Sequence, residues 1–184
     1  MVIKSKIDSI KLIKQLNLNR FPERLFINYQ EQDVVDFLEK YPANYYAIRD
    51  RSKSNGVFKL SVEKKDVLNE IKEYTIFSIN VSSYNYVNNQ IINGEIEICS
   101  NNNVYAQFSA DPNAVGRPDD KNTVIINTNI FNTKELEKIS NFDYIYEYII
   151  DHNLKDVIVE FALFNTEVGI NNERIIVYEL RTNY

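Results

Sequence analysis

Apolar residues recur along this chain with two periods, about 3.6 and 2, and the switches between them delimit its elements. Ile10, Ile13 and Leu16 share one helical face, with Asp8 or Ser9 as cap, before the chain breaks over Asn17–Pro22. Leu25–Ile27 predicts a short strand, and Val34, Val35, Phe37, Leu38 and Tyr41 predict a helix that stops at Pro42. Tyr45–Asp50, the polar stretch Arg51–Gly56 and Val57–Leu60 predict a strand, a loop and a strand. Val67, Leu68, Ile71 and Tyr74 predict a helix over Glu63–Tyr74, after which Thr75–Val81 alternates as a strand. Ile91–Ser100 and Val104–Ala110, joined by three asparagines, predict an antiparallel hairpin. Asp111–Asn122 is the longest turn-rich stretch and reads as a lid or ligand loop, followed by a strand at Val124–Ile126. Asn132 and Glu135 have the spacing of a capping box, and Phe142, Ile145, Tyr146, Ile149 and Ile150 mark a further helix. Val157–Phe164 and Arg174–Arg181 close the chain as two strands joined through Gly169.

This order predicts an α+β fold, mainly antiparallel sheets with packed helices, in a single domain over residues 1–184. With 44% hydrophobic residues the chain can fill one core, and with only 4 Gly and 4 Pro it has too few breakers for a many-turned barrel. A net charge of -5 offers no basic footprint for a phosphate backbone, which argues against direct nucleic-acid binding. The single cysteine, Cys99, excludes an internal disulfide and a multi-cysteine zinc site. Lysines interrupt the apolar residues of the N-terminus, so no signal-peptide core is expected there. No stretch reaches the roughly 18 consecutive apolar residues of a membrane span. The expectation is therefore a cytoplasmic protein without a membrane partner.

The candidate chemistry lies on the last two strands. Strand alternation places Glu160 with Ile158, Ala162 and Phe164, and Glu179 with Ile175, Val177 and Arg181. A turn centred near Gly169 then sets Glu160 opposite Glu179 and Ile158 opposite Arg181. Two like charges so opposed, with Cβ atoms about 5 Å apart, destabilise a sheet unless something compensates. A divalent cation, a raised pKa, or a neighbouring base such as Arg181, diagonal to Glu160, would each do so.

Val159-Glu-Phe-Ala162 followed by Val177-Tyr-Glu-Leu-Arg181, together with Tyr46-Ala-Ile-Arg-Asp-Arg-Ser52, resembles the ATP-grasp family, in particular its phosphoenolpyruvate synthase type of nucleotide-binding domain. The resemblance covers roughly Tyr45–Arg181 and follows the order of elements. It implies that Glu160 and Glu179 hold Mg²⁺ and that Arg49, Lys53 and Arg181 meet the phosphates of ATP, between two sheets. It further implies phosphoryl transfer or carboxylate activation. The chain departs from the family pattern in its short length, in a phosphate loop with one glycine (Gly56), and in Arg181 where many ligases have Asn. Those departures leave a second expectation, a non-enzymatic binding protein that acts on a protein partner as inhibitor or adaptor, encoded by a phage or mobile element.

The other titratable or reactive residues carry blander readings. Glu95 and Glu97 share a strand face and read as solvent-side acids. Arg117 reads as a solvated loop residue, His152 as a C-terminal helix cap, and Cys99 as a buried strand residue.

Overall fold

Two compact units form in the computed structural model, which describes residues 3, 5–52, 56–109 and 123–182. One is Phe21–Val87. The other joins the chain up to Arg20 with the chain from Asn88 onward.

In the Phe21–Val87 unit, β1 (Glu23–Ile27), β2 (Tyr45–Asp50), β3 (Phe58–Glu63) and β4 (Ile76–Val81) form an antiparallel sheet in the order β1-β4-β2-β3. Helix α2 (Glu31–Lys40) buries Val34, Phe37 and Leu38, the apolar face that its spacing predicts. Its first turn is closed by Asp33, whose carboxylate accepts the Gln30 N–H at 2.9 Å. Phe26 stacks on Phe77 with ring centroids 5.1 Å apart, and Phe37 meets Phe26 edge-on at 6.1 Å. The helix expected over Glu63–Tyr74 shrinks to a 3₁₀ turn at Lys64–Asp66 and a single α-turn, α3 (Val67–Glu70). Val67 and Ile71, one turn apart, are both buried, so one turn satisfies the apolar spacing before the chain enters β4.

The other unit is built on a five-stranded antiparallel sheet, ordered β7-β6-β5-β8-β9. Its strands are β5 (Gln90–Ile98), β6 (Asn103–Ser109), β7 (Val124–Asn129), β8 (Ile158–Val168) and β9 (Glu173–Arg181). Asn102, at φ 70°, supplies the left-handed turn between β5 and β6. One sheet face carries the core: Ile96, Val159, Phe161, Leu163, Ile175 and Val177 cluster with Leu136 of α4 (Thr133–Leu136), Ile145 and Ile149 of α5 (Phe142–Asp151), and Ile13 of α1 (Lys6–Gln15). Helix α1 is capped by Ser5, not by Asp8 or Ser9. Ser9 is buried instead and accepts the Leu180 N–H through Oγ at 2.7 Å, closing the β9 edge of the sheet. Asn132 precedes α4 but makes no side-chain cap; Glu135 pairs with Lys138. Ile150 faces solvent, and Tyr148 takes the buried place beside Ile145 and Ile149.

The expected register of the last hairpin holds at its open end, with Glu160 opposite Glu179 and Ile158 opposite Arg181. Beyond Glu160 the pairing shifts, Phe161 facing Val177, and Tyr178 is the extra residue of a bulge. This corrects the simple alternation. Val177 joins Phe161 in the core, while Glu179 stays on the opposite face with Glu160. Among the described residues, no helix is long and apolar enough to cross a membrane.

Candidate functional site

Strand order, not sequence proximity, assembles the acidic face. β5 lies beside β8, and Glu95 pairs with Glu160, which pairs in turn with Glu179. Three carboxylates therefore stand in one row across three neighbouring strands. Glu95 was expected on the solvent side, but its side chain is only 26% exposed and it forms an ion pair with Arg181 Nη2. Glu179 is met by Lys6 of α1 at 3.3 Å. Arg181 thus stands beside the Glu160–Glu179 pair as the sequence suggested, yet its ion pair is with Glu95.

Glu160 sits in the middle of the row, and its side chain has neither an ion-pair nor a hydrogen-bond partner among the described residues. Burial raises its carboxyl above the ordinary glutamate range, and the charges of Glu179 and Glu95 add to the effect; Arg181 and Lys6 oppose it. Burial works against the Arg181 charge, but the three glutamates outweigh it and hold the guanidinium protonated. Its Nε is buried without a hydrogen-bond partner, so the guanidinium fork is only partly used. Three carboxylates face two bases here, an imbalance that a bound cation or a proton on Glu160 would correct. The donors are all oxygens, which suits a hard divalent ion such as Mg²⁺. Among the described residues, no group of three or more His, Cys, Asp or Glu side chains is placed to hold a metal ion, so the three glutamates of the row do not together make a metal cage. Mg²⁺ commonly needs none, because substrate phosphates and water complete its shell.

The hairpin that carries Glu179 and Arg181 is held by a residue that reads in sequence only as a helix breaker. Asn19 is fully buried. Its Nδ2 donates to the carbonyls of Val168 and Ile175, both at 2.9 Å, and its Oδ1 accepts the Asn171 N–H at 2.9 Å. Gly169, at φ +78°, lies so close that an added Cβ would fall 2.5 Å from Asn19 Oδ1. The tip of the hairpin and the start of β9 are therefore fixed to the chain just after α1.

In the Phe21–Val87 unit, Arg49 and Arg51 project from the same face at the end of β2, and their fates differ. Arg51 donates to Ser78 Oγ at 3.2 Å and meets Glu23 at 3.6 Å. Arg49 lies over the Phe58 ring, 4.9 Å from its centroid, and meets no carboxylate among the described residues. Asp50 turns the chain by accepting the Ser52 N–H at 2.8 Å, and a Cβ on Gly56 would fall 2.2 Å from the Asp50 carbonyl oxygen. Lys53 and Arg117 lie outside the described residues.

His152 follows α5 as its C-cap, with Nδ1 2.9 Å from the Tyr148 carbonyl oxygen, as expected of a helix-ending residue. Cys99 lies one residue beyond β5 and is half-buried rather than a buried strand residue; burial raises its thiol pKa.

No protein-family model matches the chain, and no curated protein matches it. Solved structures do. A macrocyclase, MdnC, bound with precursor peptide MdnA from Microcystis aeruginosa MRC, is 16% identical over 95% of this chain and 51% of its own, with a TM-score of 0.52. N5-carboxyaminoimidazole synthase from Aspergillus clavatus, in complex with ADP and 5-aminoimidazole ribonucleotide, is 9% identical over 97% of this chain and 44% of its own, with a TM-score of 0.51. The chain spans about half the length of these structures. Both are ATP-grasp enzymes, and the chain has an ATP-grasp-like α+β fold.

Proposed function

We propose that this chain binds ATP together with Mg²⁺ and positions it for phosphoryl transfer or carboxylate activation. The observation that carries the reading is Glu160, a half-buried carboxylate with no partner among the described residues, placed between Glu95 and Glu179 in a row short of positive charge. Glu160 and Glu179 would hold the metal, which when bound neutralises phosphate charge. Arg181, with part of its fork unused, would meet a phosphate oxygen from the same sheet face. Arg49, near the end of β2, meets no carboxylate among the described residues and would offer its charge to a phosphate, as would Lys53. The ADP held by one of the two similar structures supports the nucleotide as ligand.

In this reading the side chains act by charge and placement. A transferring phosphoryl group spreads negative charge over its oxygens, and fixed cations aimed at them lower the barrier without moving a proton. The Asn19 clamp contributes by holding β9 in the register that sets Glu179 opposite Glu160.

Calorimetric titration with ATP and Mg²⁺ tests the reading. Binding should require the metal and be lost in Glu179→Gln. No heat at millimolar ATP would sink it and leave the non-enzymatic binding protein as the better account.

A further inference from the structure

An open sheet ends in two strands with unpaired backbone groups, and proteins guard such edges with charge, proline, bulges or a covering helix. Among the described residues, three of the four sheet edges are guarded. β9 is covered by α1, where Ser9 Oγ takes the Leu180 N–H. β1 carries Glu23 and Arg24, each in an ion pair, and β3 carries Lys59 and Glu63, likewise paired, beside a register shift against β2. β7 has none of these devices. Its sequence, Val-Ile-Ile-Asn-Thr-Asn, holds no charge and no proline, and it pairs with β6 over six consecutive positions without a shift. Just past the last pair, Asn129 with Asn103, the Ile130 N–H donates to the Asn102 carbonyl at 2.8 Å. Alternation along an antiparallel ladder then turns the N–H and C=O of Ile125 and Asn127 away from β6, to a side where no strand pairs among the described residues.

We propose that β7 pairs antiparallel with β7 of a second copy of this chain, about a twofold axis through Asn127. Charge selects this occupant. A twofold axis brings like residues together, so a charged strand repels its own copy and a neutral one does not. With the axis at Asn127, that residue faces its own copy in a hydrogen-bonded pair, and Ile125 faces Asn129. The same operation covers the two most exposed large apolar side chains among the described residues, Phe131 at 80% and Ile125 at 70%. Phe131 lies in the turn that ends β7 and comes diagonally to Ile125 of the second copy, a separation of about 7–8 Å that an aromatic side chain spans. Paired residues share a sheet face, so the two five-stranded sheets join into one of ten strands. Ile125 stands in register with Gln107, Glu95, Glu160 and Glu179, which puts the acidic rows of both copies on one face of it. The contact is small against the roughly 800 Å² per partner of a standard interface, so the dimer is weak and concentration-dependent.

The test is sedimentation equilibrium of the full chain from micromolar to millimolar concentration, where the wild type should pass from monomer to dimer. Asn127→Lys sets two like charges face to face and should weaken the dimer about tenfold, and Asn127→Glu should do the same. Asn127 is exposed, so neither variant should change the melting temperature. An equimolar mixture of the two variants should dimerise at least as tightly as the wild type, because opposite charges then face each other across the axis. Ile125→Ser, which adds no charge, should weaken the dimer likewise through loss of its contact with Phe131. A wild type that stays monomeric to millimolar concentration overturns the proposal. Asn127→Lys and Asn127→Glu variants that each dimerise as tightly as the wild type overturn it too, since the contact then lies elsewhere. So does a mixture of folded variants that fails to recover the dimer, since Asn127 then does not face its own copy.

Discussion

Replacing Glu160 by Gln should stabilise the cation-free protein. Glu160 faces a glutamate on either side, and like charges directly opposed across strands cost about 0.2–1 kcal/mol per pair. Lys6 and Arg181 cancel part of this, so the gain expected at neutral pH is about 1 kcal/mol. Gln keeps the shape of the side chain, and the Glu160 carboxylate has no hydrogen bond to lose among the described residues. The pH dependence gives the sharper signature. Burial and the flanking glutamates raise the Glu160 pKa in the folded state above the ordinary value of 4.5, so between the two values the folded protein binds more protons than the unfolded chain. Its stabilising contribution is full below the unfolded pKa and is lost as pH rises through the folded one. Urea unfolding in EDTA from pH 5 to 7.5 should show the wild type losing stability relative to Glu160→Gln, with equal slopes in urea. Saturating Mg²⁺ should reverse the order, since only the wild type gains from binding. Parallel pH curves, or a variant less stable throughout in EDTA, would refute the charge imbalance on which the site is argued.

Asn19→Ala should cost about 3 kcal/mol, because it strands three carbonyls, those of Val168, Glu173 and Ile175, and one N–H, each worth about 1–3 kcal/mol before water recovers part of it. A loss under 1 kcal/mol in urea unfolding would mean the hairpin does not depend on the clamp. Gly169→Ala should be comparably destabilising, since it combines a left-handed backbone with a clash against Asn19 and Arg20; a wild-type melting curve would contradict it. Arg49→Gln should weaken Mg²⁺ and ATP binding about tenfold with little change in melting, as its guanidinium lies over the exposed Phe58 ring and meets no carboxylate among the described residues. Equal affinity in calorimetry would remove Arg49 from the site.

Much of the site's frame was legible in the chain. The opposition of Glu160 and Glu179 was legible from the pattern of the last two strands, but in the structure it comes about through register shifts at Glu160/Phe161 and Leu163/Val168 and not through a symmetric turn at Gly169. The bulge at Tyr178 was not legible: it inserts one residue, and only packing against Phe161 reveals that Val177 leaves the Glu179 face. The role of Glu95 was hidden for a topological reason. Alternate acids on a strand suggest a solvent face, and only the placing of β5 beside β8, more than fifty residues later in the chain, makes Glu95 the third member of the row. Asn19 shows a further limit. A polar residue after a helix reads as a breaker, whereas here its amide replaces backbone partners that the tip of the hairpin lacks. The segment Glu63–Tyr74 shows the reverse, a helical spacing with only one turn's worth of core to fill.

The central claim, that ATP and a divalent cation meet at Glu160 and Glu179, is tested most directly by paramagnetic broadening of assigned backbone amides in the presence of ATP and substoichiometric Mn²⁺. The amides of Glu95, Glu160, Glu179 and Arg181 should broaden first, and Glu160→Gln combined with Glu179→Gln should abolish the effect. Broadening that centres instead on the acidic hollow lined by Glu63, Asp66 and Glu70, or that survives the double substitution, would contradict the account.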